Sequence, residues 1–352
     1  MDLLKNQKKI KKFHKNFQDF LNQVPENDRE TFLSWAENFP DRDKKFVGEF
    51  QRTFNSSFWE VYLFKLFTDL GFNFTDWKEH PDFILEKDNI HFTIEATISN
   101  NGESDIAEWD FNLVEEWKNR DLDKLQKELL QSIKPKNIYS IIRFESSIRS
   151  KREKYLSKYQ NKLWVEKKPF VIALGSYEQP LHYIQYDRAI MALLYNYYVD
   201  EEKFIKNPHN YPDGQPPVIE LNSVIRPNGS ELELGIFLDD RVSEISAILF
   251  NPLAIWKKVQ NMSYDKQGVF KHNWKDKTGN ILVTDNEQEL IKDGLFIFHN
   301  PYAKYPLPKD IFNKDRICQV FMDKETGNLT QEFGEKHLFN HQTIGFIIKD
   351  NI

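Results

Sequence analysis

The stretch that most limits how this chain can fold runs from Phe58 to Thr97, FWEVYLFKLFTDLGFNFTDWKEHPDFILEKDNIHFTIEAT. From Phe58 to Phe67 apolar and aromatic residues fall on nearly every side of a helix, which marks that helix as buried rather than amphipathic. Gly71 then supplies a C-cap that stops the helix. Pro81 to Glu86 and Asn89 to Thr97 alternate apolar and polar around the polar pair Lys87 and Asp88, a pattern that predicts a β-hairpin. A four-residue turn over Lys87–Ile90 pairs Glu86 with His91, Ile84 with Thr93 and Asp82 with Glu95, and sets Phe83 against Ile94 and Leu85 against Phe92. One face of the hairpin is then wholly apolar, and the other carries two opposed carboxylates.

Like charges set across a strand pair, with Cβ atoms roughly 5 Å apart, destabilise it unless something neutralises them. Mg²⁺ would do so, because this hard ion takes a few carboxylates and fills its remaining sites with water or substrate phosphate. Glu60 adds a third acid inside the apolar helix. Burying an unpaired carboxylate costs several kcal/mol or raises its pKa, so Glu60 has to be protonated, hydrogen-bonded or near a cation.

An acid on an initial helix, a strand opening Pro81-Asp82 and a strand ending Glu95-Ala96-Thr97 resembles the PD-(D/E)XK nuclease superfamily, the restriction-endonuclease-like fold. More narrowly, FWE, HPDF and IEAT, a later lysine-bearing helix leading into KPFVIAL, and a late HNPYA are similar to a bacterial family of mostly uncharacterised proteins sharing that core. The resemblance implies an α/β fold with a central mixed β-sheet flanked by helices. It also implies an N-terminal helical extension (1–45), a nuclease-like core (46–206) with a polar insertion (100–136), and an elaborated C-terminal α+β region (207–352) that can pack on the same sheet. The sequence departs from the superfamily at Thr97, where the catalytic lysine normally stands.

Composition sets few further limits. A formal charge of −6 gives no overall field favouring nucleic acid, so any such binding rests on local patches. A single cysteine, Cys318, excludes an intramolecular disulfide framework and a cysteine-cluster metal site. The absence of any apolar run near 18 residues and of an apolar stretch after the lysine-rich start points away from a membrane and toward the cytoplasm. A homodimer stays open.

Along the chain, residues 1–45 read as largely helical, with Leu3, Leu4, Ile10, Phe13, Phe17, Phe20 and Leu21 at helical spacing and a second helix over Asp28–Asn38. Six lysines and no acid lie between Lys5 and Lys15, either as a nucleic-acid arm or as a solvated helix face. A strand is expected over Phe72–Phe74, a helical Leu122–Ile133 inside the insertion, a strand over Asn137–Phe144 and a helix over Ser146–Leu163. In that last helix Ile148, Lys151, Tyr155 and Tyr159 share one stripe. Catalytic lysines in the superfamily migrate from the strand to a neighbouring helix, so Lys151 is the candidate replacement for the lysine absent at position 97. Alternatively, it snorkels past the tyrosines to water. From Arg149 to Lys168 eight basic residues face two acids, and Arg149, Lys154, Lys158 and Tyr155 are candidate contacts to phosphates and bases. Pro169 to Gly175 reads as a strand buried on both faces. Asn207–Pro217 is a loop, and further strands are expected at Ser230–Leu238, Ile245–Phe250 and Leu295–His299. His299 could serve as a ligand or a base, but a lone histidine at a strand end is more often structural.

These residues support a metal-dependent nuclease, a hydrolase or endonuclease of DNA or RNA, and the resemblance implies a role in defence against foreign nucleic acid. Asp82 and Glu95 would hold Mg²⁺ or Mn²⁺, with Glu60 on a second ion or a bound water. Lys151 would orient the attacking water or offset charge on the phosphate. The competing reading is a nuclease-derived protein that binds nucleic acid or a partner without cutting, which the loss of lysine at Thr97 favours.

Overall fold

The computed structural model describes residues 2–5, 10–41, 44–75, 81–102, 106–109, 132–266, 268–312 and 315–346. The expected helix over Leu122–Ile133 lies outside them up to residue 131.

The buried helix and the hairpin form as the sequence requires. Helix α4 (Phe54–Asp69) follows α1 (Lys15–Asn22), α2 (Glu26–Trp35) and α3 (Phe46–Arg52), and it buries eleven side chains, from Phe54 to Phe67, on several sides. It stops in a Schellman motif: the Phe72 amide donates to the Phe67 carbonyl at 2.9 Å and the Gly71 amide to the Thr68 carbonyl at 3.0 Å, with Gly71 at φ +73°. The N-terminal region is less helical than its apolar spacing suggests. Residues 10–14 are not helical, because His14 caps α1 by accepting the Asn16 amide on Nδ1 at 3.1 Å.

Strands β1 (Asn73–Phe74), β2 (Phe83–Lys87), β3 (Ile90–Ser99), β4 (Phe170–Ser176), β5 (Ala247–Phe250), β6 (Phe296–His299), β7 (Cys318–Met322) and β8 (Leu329–Glu332) make one mixed eight-stranded sheet. They lie side by side in chain order, so strands from both sides of residue 207 belong to one sheet. The β2–β3 register pairs Phe83 with Ile94, Ile84 with Thr93, Leu85 with Phe92 and Glu86 with His91. Asp88 and Asn89 both adopt positive φ at the turn, 53° and 62°, the conformation whose twist matches a two-residue hairpin. Next, β3, β4 and β5 run parallel.

Alternation along β3 and β4 divides the core. Ile94, Ala96, Val171 and Ala173 face α4 and the N-terminal helices, while Ile172 and Leu174 face the opposite layer. On the α4 side, Trp59 Nε1 donates to the Ala173 carbonyl at 3.1 Å, and a Cβ at Gly175 would stand 2.9 Å from the Trp59 ring. Gly175 therefore permits the close approach that seats α4.

The opposite layer holds the largest departure from expectation. Asn137–Phe144 is not a strand; it belongs to helix α5 (Ile133–Lys154), whose buried Ile141, Phe144 and Ile148 recur at helical spacing against the sheet. The helix over Ser146–Leu163 also ends early. After Lys154 the chain makes a π turn over Tyr155–Tyr159, with the Gln160 amide bonded to the Tyr155 carbonyl at 3.0 Å. Ser230–Leu238 yields only a short strand, Glu231–Glu233, paired with Ser223–Ile225 outside the main sheet.

A second, three-stranded sheet (Ile281–Asp285, Gly268–Asp276, Lys336–Phe346) is tied on by a buried ion cluster. Glu289 accepts from Lys258 on one oxygen and lies 2.9 Å from His341 Nδ1 on the other, all with no exposure. Among the described residues no helix is long and apolar enough to cross a membrane. Substituting Gly71→Ala forces a Cβ into the left-handed region and should cost about 1–2 kcal/mol in urea unfolding. An unchanged unfolding midpoint would contradict the terminator role given to Gly71.

Candidate active site

Parity along the hairpin fixes where the acids lie. Phe83 and Ile94 face α4, so Asp82 and Glu95 turn to the α5 layer. Asp82 stands just before β2, and its Oδ2 accepts the Ala96 amide at 2.8 Å, which pins the carboxyl across the hairpin. Glu95, in the middle of β3, has no exposed surface. A carboxylate there is tolerable only with partners, and α5 supplies them. Lys151 Nζ reaches Glu95 Oε1 at 3.0 Å and Lys154 Nζ reaches the same oxygen at 2.5 Å, while the Tyr159 hydroxyl donates to Oε2 at 2.8 Å.

The electrostatics follow from this arrangement. Burial alone would raise the Glu95 pKa, but the Lys151 and Lys154 ammonium groups overcome it and hold the carboxyl below its usual value. Asp82 moves the other way, raised first by burial and then by the Glu95 charge. Burial would lower Lys151, yet Glu95 and Asp82, with a contribution from Glu60, raise it above an ordinary lysine. Tyr159 is pushed up by burial and by the Glu95 charge, so its hydroxyl remains a donor.

These groups meet a polar cleft of about 830 Å³. Glu60, Asp82, Thr97 and Lys151 line it, so α4, the hairpin and α5 each contribute a side chain, and Lys151 shares the cleft with Thr97. The N-terminal region forms another part of the wall through His14 and Arg52. Buried Asn16 fastens that wall, donating to Asn55 Oδ1 at 2.8 Å and to the Trp109 carbonyl at 3.1 Å. Residues 106–109 thereby reach the site, with Glu108 Oε2 at 3.9 Å from His14 Nε2.

Other sequence candidates are placed differently. Tyr155 cannot stack a base, because it is buried with its ring on Phe170, centroids 4.1 Å apart. Lys154 is engaged with Glu95 rather than offered to phosphate. Arg149 pairs with Glu145 at 3.1 Å, whereas Lys158 is exposed. His299 is buried, bonded through Nε2 to Gln319 Oε1 at 2.8 Å, and held neutral near neutral pH by a pKa lowered by burial to about 4. Sequence reasoning missed Lys154 and Tyr159 as partners of Glu95. The available signal was the i, i+3 spacing of Lys151 and Lys154, which puts both on one helix face.

Among the described residues no three His, Cys, Asp or Glu side chains converge closely enough to hold a metal unaided. Mg²⁺ at phosphoryl-transfer sites needs only one or two carboxylates besides water and phosphate. Asp82 lines the cleft and offers a hard oxygen donor whose charge its surroundings disfavour, and Glu95, buried beneath the Lys151 ammonium, carries the second carboxylate. The residues therefore fit such an ion by donor chemistry. Comparison with protein-family models, with curated proteins and with solved structures finds no match to this chain.

Because Asp82 has a raised pKa, its ionised form destabilises the fold, and that loss sets in as pH rises through the carboxylate range. Asp82→Asn keeps an acceptor for the Ala96 amide and removes the charge. Its melting temperature should exceed wild type at pH 7, with the gap closing below roughly pH 3. A variant less stable than wild type at pH 7 would refute the electrostatic assignment.

Proposed function

We propose that this protein is a metal-dependent nuclease that hydrolyses phosphodiester bonds of DNA or RNA, with a restriction-endonuclease-like core formed by α4, the β2–β3 hairpin, α5 and β4. The observation that carries the reading is the Lys151 ammonium on Glu95, in the same cleft as Asp82 and Thr97. It supplies from a helix the cation that the superfamily's pattern places two residues after the strand glutamate.

In this reading Asp82 and Glu95 hold Mg²⁺ or Mn²⁺, an ion that lowers the pKa of water and stabilises the leaving oxygen when bound. Lys151 donates to the phosphoryl oxygens and offsets the charge that builds there as the attacking water adds. Glu60, on the α4 side of the cleft, accepts from incoming water and helps orient it. Asn100 stands at the rim, held by Arg143, whose Nε donates to its carbonyl at 2.7 Å. Exposed Lys11 and Lys12 beside His14, and Lys158, Lys162 and Lys167 beyond α5, offer cations to a polyanionic backbone. Cytoplasmic defence against foreign nucleic acid is the setting the resemblance suggests.

One observation favours a second reading, a binding protein that does not cut. Lys151, Lys154 and Tyr159 already satisfy both oxygens of Glu95, so the carboxylate pair is not a stability defect that only a metal can repair.

A nuclease assay on single- and double-stranded DNA and RNA with Mg²⁺ or Mn²⁺ separates the two. Cleavage should appear with metal and stop with chelator. Asp82→Ala should abolish it in folded protein, and Lys151→Ala should cut turnover on the order of a hundredfold or more with little change in metal affinity. Cleavage that survives both Asp82→Ala and Glu95→Ala would refute the site. Chelator-resistant binding without cleavage would favour the second reading.

A further inference from the structure

Glu95 Oε1 accepts from two ammonium groups at once, and they are not equivalent. Lys151 lines the cleft and also feels the cleft acids Asp82 and Glu60. Lys154 is not among the cleft-lining residues, lies closer to Glu95, and has its ammonium 5.9 Å from the Tyr159 ring centroid. Tyr159 closes the other side of the carboxylate through Oε2. Lys154 and Tyr159 thus belong to a clamp away from the cleft, built by the end of α5 and the π turn.

We infer that Lys151 is an exchangeable counter-ion: in the metal-free protein it occupies Glu95, and when a divalent cation binds at Asp82 and Glu95 it is released into the cleft to meet the substrate's phosphate, while Lys154 and Tyr159 stay on Glu95. This inference rests on the metal-dependent reading and adds a regulatory step to it. The physical reason is the limited room on one carboxylate. Glu95 cannot offer Oε1 to a dication while both ammonium groups keep their hydrogen bonds to it, and the repulsion between close cations in a poorly solvated site is large. Of the two, Lys151 has cleft space to move into, and there an anionic phosphodiester replaces the partner it loses. The exchange couples metal loading to substrate loading, so a metal-free site holds its own charges in balance and presents less free cation to nucleic acid.

The test uses the unmodified full chain. Lysine acylation by a small N-hydroxysuccinimide ester is mapped by mass spectrometry with and without Mg²⁺, and Mg²⁺ binding is measured in parallel by calorimetry. Exchange predicts that Lys151 labelling rises several-fold with Mg²⁺ while Lys154 labelling is unchanged. If Mg²⁺ binds but Lys151 labelling does not rise, or both lysines rise together, the exchange is refuted and the metal reading stands. Failure of Mg²⁺ to bind, with labelling unchanged, overturns both.

Discussion

A carboxylate with no exposed surface sits in the middle of a central strand, and much of the site is arranged around making that tolerable. Glu95 would cost several kcal/mol if left alone in the sheet. Two lysines and a tyrosine from the crossover between β3 and β4 make it an ion pair with every oxygen bonded. Satisfying it fixes how α5 lies on β3, because Lys151, Lys154 and Tyr159 have to converge on one point. It leaves Asp82, across the hairpin, as the acid whose ionisation the surroundings resist. A buried ion pair is weak evidence of stabilisation in itself, and packing the same volume with apolar groups is often as stable. In the proposed function the same groups serve chemistry, kept at some expense to the fold.

The rest of the architecture gathers Glu60, Asp82, Thr97 and Lys151 around a cleft. Helix α4, seated by the Trp59 hydrogen bond and the close approach at Gly175, brings Glu60 to it. The N-terminal helices cover the outer side of α4 with a continuous aromatic cluster, in which Phe32 stacks on Phe58 at 5.2 Å between ring centroids. They also supply His14 and Arg52 to the cleft wall. The region read from sequence as an extension is thus part of the same structural unit as the site. The C-terminal strands complete the sheet, and the buried Lys258–Glu289–His341 cluster ties the second sheet to the helix that carries Lys258 without reaching the cleft.

How much of this was legible depended on whether the information was local. The hairpin register could be read because alternation with one apolar face leaves little freedom, and Asp88 and Asn89 both tolerate the positive φ the turn demands. Lys151 could be picked out because helical spacing puts it in line with Ile148 and Tyr155, both buried. The same periodicity is harder to see upstream. Asn137–Phe144, with its β-branched isoleucines, reads as a strand unless Ile141, Phe144 and Ile148 are counted together as one helical face. Helical spacing puts Tyr159 on the stripe but gives no sign of its bond to Glu95. The π turn that carries it, a feature often found near functional groups, is not encoded in the helical spacing of that stripe. The N-terminal wall was illegible for a different reason, since Asn16, Asn55 and Trp109 meet across long separations that no local pattern encodes.

The claim that Asp82 and Glu95 form a metal-dependent phosphodiester site is tested most directly by anomalous diffraction from a crystal of the full chain soaked in Mn²⁺. The account predicts an anomalous peak within coordination distance of an Asp82 oxygen and a Glu95 oxygen, with the Lys151 ammonium displaced from Oε1. A crystal that takes up Mn²⁺ only elsewhere, with both lysines still on Glu95, would contradict it.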